Sequence, residues 1–294
     1  MNISAWWTAF RPNTLIVSIA PVLIGISLSV RDNNFSSYFV AILTLLAAIL
    51  IQVGTNLIND LYDYIKGADN KQRIGPIRAT QSGLLSKNSI QKGAFFCFTL
   101  ALFIGIYLVY IGGIPILVIG LLSLISGYCY TAGPYPLAYN GLGDIFVFIF
   151  FGLIAVPGTY YLQTNILFDI NSILIGSSIG FLAVAVLCVN NIRDIESDSK
   201  VGKKTLAVRF GVTIITIVYD IMIISAYVSI LIFMLIEGIL NQSSMFLLFL
   251  SFPIAIKLIV DINKSSGQQL NFILFRTAIL IRTFTILLII GILL

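Results

Sequence analysis

The stretch NLINDLYDYIKGADNKQRIGPIRATQSG, from Asn56 to Gly83, places Asn56, Asn59, Asp60 and Asp63 at i, i+3, i+4 and i+7, with Asp69 beyond Gly67. On a continuing helix this spacing makes one stripe of oxygen ligands on one face. A second stretch, NNIRDIESDSKVGKKTLAVRFG from Asn190, sets Asp194 and Asp198 at i and i+4, with Asn190 and Asn191 one turn earlier. Like charges at that spacing repel, so a cation should neutralise them. Carboxylate and amide oxygens are hard ligands suited to Mg²⁺, which takes one or two carboxylates and fills its remaining positions with water and phosphate oxygens. The Lys and Arg residues of both stretches suit the same phosphates. The chemistry in view is therefore a Mg²⁺–diphosphate site. A solvated loop past a helix end is the competing reading of either stretch alone; two matching stretches favour the site.

The rest of the chain is apolar. Of 294 residues 59% are hydrophobic and 10% charged, with a mean hydropathy of +1.03. A soluble domain of this size cannot hide so much apolar surface, so the bilayer is the solvent for most of the chain. The run from Leu15 reads as a first span and not as a removable signal peptide. Histidine is absent, which excludes His-ligated zinc, His-ligated haem and a His general base. Cys97, Cys129 and Cys188 lie in apolar runs without metal-ligand spacing and read as small buried hydrophobes.

Nine spans are expected, near 13–30, 38–58, 92–110, 113–131, 143–162, 172–191, 211–235, 244–262 and 270–293. The third and fourth are separated by a Gly-Gly-Ile-Pro turn at Gly112 to Pro115. With nine spans, Arg11, Lys66, Lys71, Arg73, Arg78, Lys87, Lys92, Arg193, Lys200, Lys203, Lys204, Arg209 and Lys264 share one side, and Arg31 lies opposite. The basic excess places that side, with the N-terminus and both Asp-rich loops, in the cytoplasm. No soluble basic surface is available for nucleic acid. The two Asp-rich stretches echo one another, so the chain reads as a single transmembrane domain of two weakly similar halves, about 1–140 and 141–294.

These two stretches resemble the paired signatures of the UbiA superfamily of intramembrane prenyltransferases. The RIGPIR…QSG form, YTAGPYPLAYNGLGD and the opening RPNTL…APVLIG resemble the branch that prenylates 1,4-dihydroxy-2-naphthoate. The resemblance implies an all-α integral membrane bundle of nine helices around a central cavity. It implies transfer of a polyprenyl group from an allylic diphosphate to an aromatic acceptor, here with loss of CO₂, in a bacterial cytoplasmic membrane. It implies Mg²⁺ as cofactor. Asn59, Asp63, Asp194 and Asp198 match the signature positions, making Asp63, Asp194 and Asp198 the catalytic candidates and all four the metal ligands, with Asp60 and Asp69 as further candidates. Gly67 stands where the family's last Asp is usual, and Asp69 lies two residues on. Substrate-contact candidates are Arg11, Asn56, Lys66, Arg73, Arg78, Tyr130, Asn191 and Lys204. Positive-inside anchoring competes for each cation, and an interfacial anchor for Tyr130. Alternatives are another acceptor such as 4-hydroxybenzoate and, in another class, a membrane transporter.

Asp220 falls inside the seventh span, and Arg276 and Arg282 inside the ninth. A lone charge in hydrocarbon is costly, so an Asp220–Arg pair is expected, with Arg276 favoured on depth.

Overall fold

Backbone groups in hydrocarbon find no water, so each apolar run must close its own hydrogen bonds as a helix. The computed structural model describes residues 3–70 and 73–294; Lys71 lies outside the described residues. Among the described residues all regular structure is helical. Among the described residues, seven helices are long and apolar enough to cross a membrane, or eight if a bent pair counts as one span. The bent pair is α1 (Ile3–Phe10) and α2 (Ile16–Arg31), which meet at 54°. The corner is Arg11, whose backbone is left-handed (φ 55°, ψ 63°), followed by Pro12.

The seven are α3 (Tyr38–Ile65), α4 (Lys87–Cys129), α5 (Gly143–Thr164), α6 (Ile170–Arg193), α8 (Leu206–Glu237), α9 (Ser243–Ile262) and α10 (Gln269–Leu293); α7 (Ile195–Lys200) is a short helix between them. The count differs from nine at α4, a 43-residue element that takes in both spans expected at 92–110 and 113–131. It breaks at Gly113 (φ 64°). Phe98 on the first arm then lies 3.5 Å from the place a Cβ would take on Gly127 of the second. The arms therefore fold back as a hairpin, with Pro115 in the first turn of the second arm, where its missing N–H costs nothing.

The centre of the bundle is α6: 72% of its apolar window is buried, against 17–44% for the other spans. It packs on α8 and α10 through Ile179, Leu182, Ile215, Tyr219, Ile281 and Phe284 in the largest apolar cluster. A second cluster joins α1, α3 and the first arm of α4 through Ala9, Val53, Leu57, Ile90 and Ala94. Between α6 and α5 the backbones nearly touch: a Cβ on Gly180 would lie 2.7 Å from the Cα of Gly152. There α5 widens into a π-helical stretch, Ile149–Ile154, just ahead of Pro157, which has no N–H to give the preceding turn.

The charges within spans find other partners than expected. Arg276 Nη1 donates to Asp261 Oδ2 at 2.9 Å, Asp220 accepts from Asn263 Nδ2 at 3.3 Å, and Arg282 Nη2 donates to Asn13 Oδ1 at 3.5 Å. The expected Asp220–Arg pair is not formed. Instead α9, with Asp261 in its last turn and Asn263 as its cap, supplies partners to both α8 and α10.

Candidate active site

Helix α3 runs on to Ile65, past the apolar run, so the stripe Asn56, Asn59, Asp60 and Asp63 lies on one continuous helix. Gly67 (φ 81°) then turns the chain, and the N–H of Asp69 bonds back to the carbonyl of Asp63 at 3.1 Å. This reversal returns Asp69 to the site despite the broken spacing. Helix α6 ends at Arg193 with Asp194 as its cap; α7 carries Asp198 one turn on, and the N–H of Asp198 bonds to the Asp194 carbonyl at 2.8 Å.

The two stretches meet at one end of a cavity of about 510 Å³. Its polar end is lined by Asp63, Asp69, Asp194 and Asp198 and by Arg11, Arg73, Arg78 and Lys203. Four carboxylates face four cations, so this end is balanced in charge and suits a load that is itself close to neutral, such as a diphosphate with its metal. Lys203 Nζ lies 3.5 Å from both Asp63 Oδ1 and Asp198 Oδ1, joining the first stretch to the second. Tyr139 donates to the same Asp63 oxygen at 2.9 Å. Arg73 pairs with Asp69 and reaches Asp194 Oδ2 at 3.6 Å, while Arg78 Nε lies 3.1 Å from Asp69 Oδ2. Arg193 holds Asp194 by two bonds, at 2.8 and 2.7 Å, and donates to Asn271 Oδ1, whose amide bonds the Ile74 carbonyl.

Charge states follow from these contacts. Burial pushes the Asp69 carboxyl up to about 6 against the pull of Arg73, and burial likewise raises Asp198 to about 6 against Lys203. Burial also acts on Asp194, but Arg193 and Arg73 outweigh it and hold Asp194 below its ordinary value. Burial would lower Lys203, yet Asp63 and Asp198 keep it raised. Lys66 goes the other way: burial lowers it, and its ammonium donates to the Thr131 carbonyl at 2.7 Å over the ring of Tyr139.

The expected site residues divide by their contacts. Asn59, Asp63, Asp69, Asp194, Asp198, Arg11, Asn56, Arg73, Arg78, Tyr130 and Asn191 all line the cavity. Asn59 Oδ1 accepts from Thr131 at 2.8 Å, and Asn56 Nδ2 staples the Phe10 carbonyl at 3.0 Å. Asp60 does not line it: its two oxygens accept from the N–H groups of Ala79 and Thr80, at 2.9 Å each, and anchor the loop. Lys204 is exposed and outside the cavity. Gly202 (φ 70°) turns the chain so that Lys203 faces in. Lys203, Arg193 and Tyr139 were not singled out from sequence as site residues, although the basic run and the YTAGPYPLAY segment contain them.

Among the described residues no three acidic or sulfur ligands converge on one position. Mg²⁺ needs no such cage when phosphate oxygens and water complete its shell. The oxygens of Asn59, Asp63, Asp194 and Asp198 on one rim fit that mode of binding. Away from the charges the walls are mostly apolar, with Val17, Phe146, Phe150 and Ile154 beside a few hydroxyls such as Ser18 and Thr159, and the cavity reaches the outer surface between the arms of α4 at Leu102, Leu117 and Leu121, each 43–46% exposed.

Known proteins share both sequence and fold. Residues 18–279 match the UbiA prenyltransferase family. The 1,4-dihydroxy-2-naphthoate octaprenyltransferase of Haemophilus influenzae is 40% identical over 218 residues, 71% of this chain and 70% of the relative. The enzyme of the same name from Escherichia coli is 39% identical over 213 residues, 70% of this chain and 68% of the relative. A UbiA homolog from Archaeoglobus fulgidus, solved bound to DMAPP and Mg²⁺, superposes with a TM-score of 0.55 at 17% identity, covering 96% of this chain and 98% of that one. The chain belongs to the UbiA prenyltransferase family.

Proposed function

We propose that this multi-pass membrane protein transfers a polyprenyl group from an allylic polyprenyl diphosphate to 1,4-dihydroxy-2-naphthoate, with loss of CO₂, giving demethylmenaquinol. The observation that carries the reading is the joining of the two signature stretches by Lys203 at the polar end of an otherwise mostly apolar cavity. Relatives that bear this activity in their names cover about 70% of the chain, and the archaeal neighbour binds a prenyl diphosphate with Mg²⁺.

Asn59, Asp63, Asp194 and Asp198 would hold Mg²⁺, which when bound neutralises the diphosphate leaving group. Arg73, Arg78 and Lys203 face the same space and would take diphosphate oxygens as the allylic C–O bond lengthens. Asp69 orients both arginines. Arg11, whose buried Nε has no hydrogen-bond partner, is a contact for diphosphate or for the acceptor carboxylate. The apolar walls exclude the water that would quench an allylic cation, and the opening at Leu102 and Leu117 lets the tail run into lipid. The electron-rich ring attacks the cation at the carbon bearing its carboxylate. CO₂ then departs and leaves its electron pair to the ring, so no strong protein base is required. The same proposal makes the chain one domain of two related halves, with the charged rim in the cytoplasm.

The test is turnover by membranes containing the protein, given Mg²⁺, a polyprenyl diphosphate and either dihydroxynaphthoate or 4-hydroxybenzoate, with products identified by mass. A prenylated naphthalene lighter by CO₂ is expected. Prenylated hydroxybenzoate alone would reassign the acceptor, and substrate moved across vesicles without a product would make the chain a transporter. Chelator should abolish turnover, and Mg²⁺ but not Zn²⁺ should restore it.

A further inference from the structure

Behind the cavity wall lies a second, much smaller space of about 10 Å³, lined by Tyr130, Asn191, Thr205, Gly141, Gly143 and Asp144 among others. That is the volume of about one water, which needs two to four polar partners. Asp144 is only 8% exposed, and its Oδ1 has no hydrogen-bond partner. A buried carboxylate oxygen without a partner costs several kcal/mol unless something donates to it. Tyr130 and Asn191 line both the small space and the main cavity. The Tyr130 hydroxyl stands over the residue next to Asp144: a Cβ on Gly143 would lie 3.0 Å from its Oη.

We propose that Asp144 is a positioning residue for the ring acceptor: through one water in this space it turns the Tyr130 O–H away from the main cavity and leaves the Tyr130 lone pairs facing the substrate. The inference rests on the function proposed above. An ionised carboxylate only accepts hydrogen bonds. The water therefore donates to Asp144 Oδ1 and accepts a hydrogen bond from the Tyr130 O–H with a lone pair. Tyr130 then presents an acceptor to the cavity, which selects a ring carrying a hydroxyl. As such a ring gives electrons to the allylic cation its hydroxyl becomes more acidic. Its hydrogen bond to Tyr130 strengthens at that moment, and only such interactions speed the chemical step.

A simpler role for Asp144 is a negative charge in the first turn of α5, where the helix dipole favours it. The two roles separate in the purified full-length protein, through steady-state kinetics with each substrate varied, alongside melting temperatures. Asp144→Asn, Tyr130→Phe and Gly143→Ala should each lower kcat by about 10- to 100-fold. KM for the prenyl diphosphate should stay within about two-fold of wild type, since its contacts are elsewhere. Asp144→Asn in the Tyr130→Phe background should cost nothing further, because both act through one hydroxyl. Gly143→Ala keeps the charge at the helix start and still crowds Oη, so it decides the matter if Asp144→Asn does not fold. Wild-type kcat in Tyr130→Phe or Gly143→Ala, or losses that multiply in the double variant, would overturn the proposal. Failure of the wild type on every hydroxylated ring overturns the proposed function and this inference together. With any ring that the wild type does prenylate, the variant ratios bear on Asp144 alone.

Discussion

Lys203 and Lys204 are neighbours in the chain with opposite surroundings. Lys203 is 13% exposed between Asp63 and Asp198, whereas Lys204 is exposed. Sequence reasoning favoured Lys204, because a KK pair does not say which member turns inward; Gly202 decides that, and its left-handed backbone is visible only in the fold. Lys203→Met should lower kcat/KM by about 100-fold or more, and Lys204→Met should stay near wild type, when prenyl transfer is measured at saturating Mg²⁺. Asp63→Asn and Asp194→Asn should each abolish turnover with the protein still folded in the membrane, since each stretch supplies only part of the assembly. Wild-type rates in either would sink the two-stretch site. Asp60 carries the opposite expectation. It sits on the same stripe, yet its oxygens serve the N–H groups of Ala79 and Thr80. Asp60→Asn should destabilise the fold by about 1.5–3 kcal/mol, read as a lower melting temperature, whatever its effect on turnover.

At the level of helices, composition and the i, i+3, i+4, i+7 spacing sufficed to place the first signature on α3 and to bring the second to the end of α6, but not to show that α6 stops at Arg193, so that Asp194 is its cap and Asp198 lies on α7. They could not show how α4 folds back. Gly112 to Pro115 marks a turn, but whether two spans lie side by side depends on Phe98 meeting Gly127 across it. The approach of α5 to α6 was equally hidden, because glycines within spans serve many ends. Here Gly152, Gly176 and Gly180 let two backbones touch, a small-residue contact of the kind that drives helix association in lipid. The contact falls within the π-helical stretch, whose Phe150 and Ile154 line the cavity. Gly180→Ala should therefore cost about 1–3 kcal/mol by overpacking. Gly120→Ala, where an added Cβ meets nothing within 4 Å, should be neutral or stabilise by about 0.5–1 kcal/mol. Thermal unfolding in detergent compares the two, and equal melting temperatures would show that α5 can move away from α6.

For the whole molecule, the two ends of the bundle differ in how their charges are used. At the signature end, Arg73, Arg78, Arg193 and Lys203 are held by carboxylates, while Lys200, Lys204 and Arg209 are exposed. At the other end Arg31 pairs with Asp32, which also accepts from Tyr160 at 2.7 Å, and Asn171 bonds Glu237. That end has little positive charge to spare. Orientation responds to Lys and Arg near span ends, with acidic residues counting little, so pairing at the signature end does not weaken the signal. The charged rim should face the cytoplasm, where a soluble diphosphate headgroup and Mg²⁺ can reach it. Asn33 and Lys200 are exposed at opposite ends, which makes them suitable reporters. In a background with Cys97, Cys129 and Cys188 replaced by Ala, Asn33→Cys should react with a membrane-impermeant maleimide on intact cells. Lys200→Cys should react only after permeabilisation. Labelling of Lys200→Cys from outside, with Asn33→Cys protected, would invert the molecule and remove the cytoplasmic site.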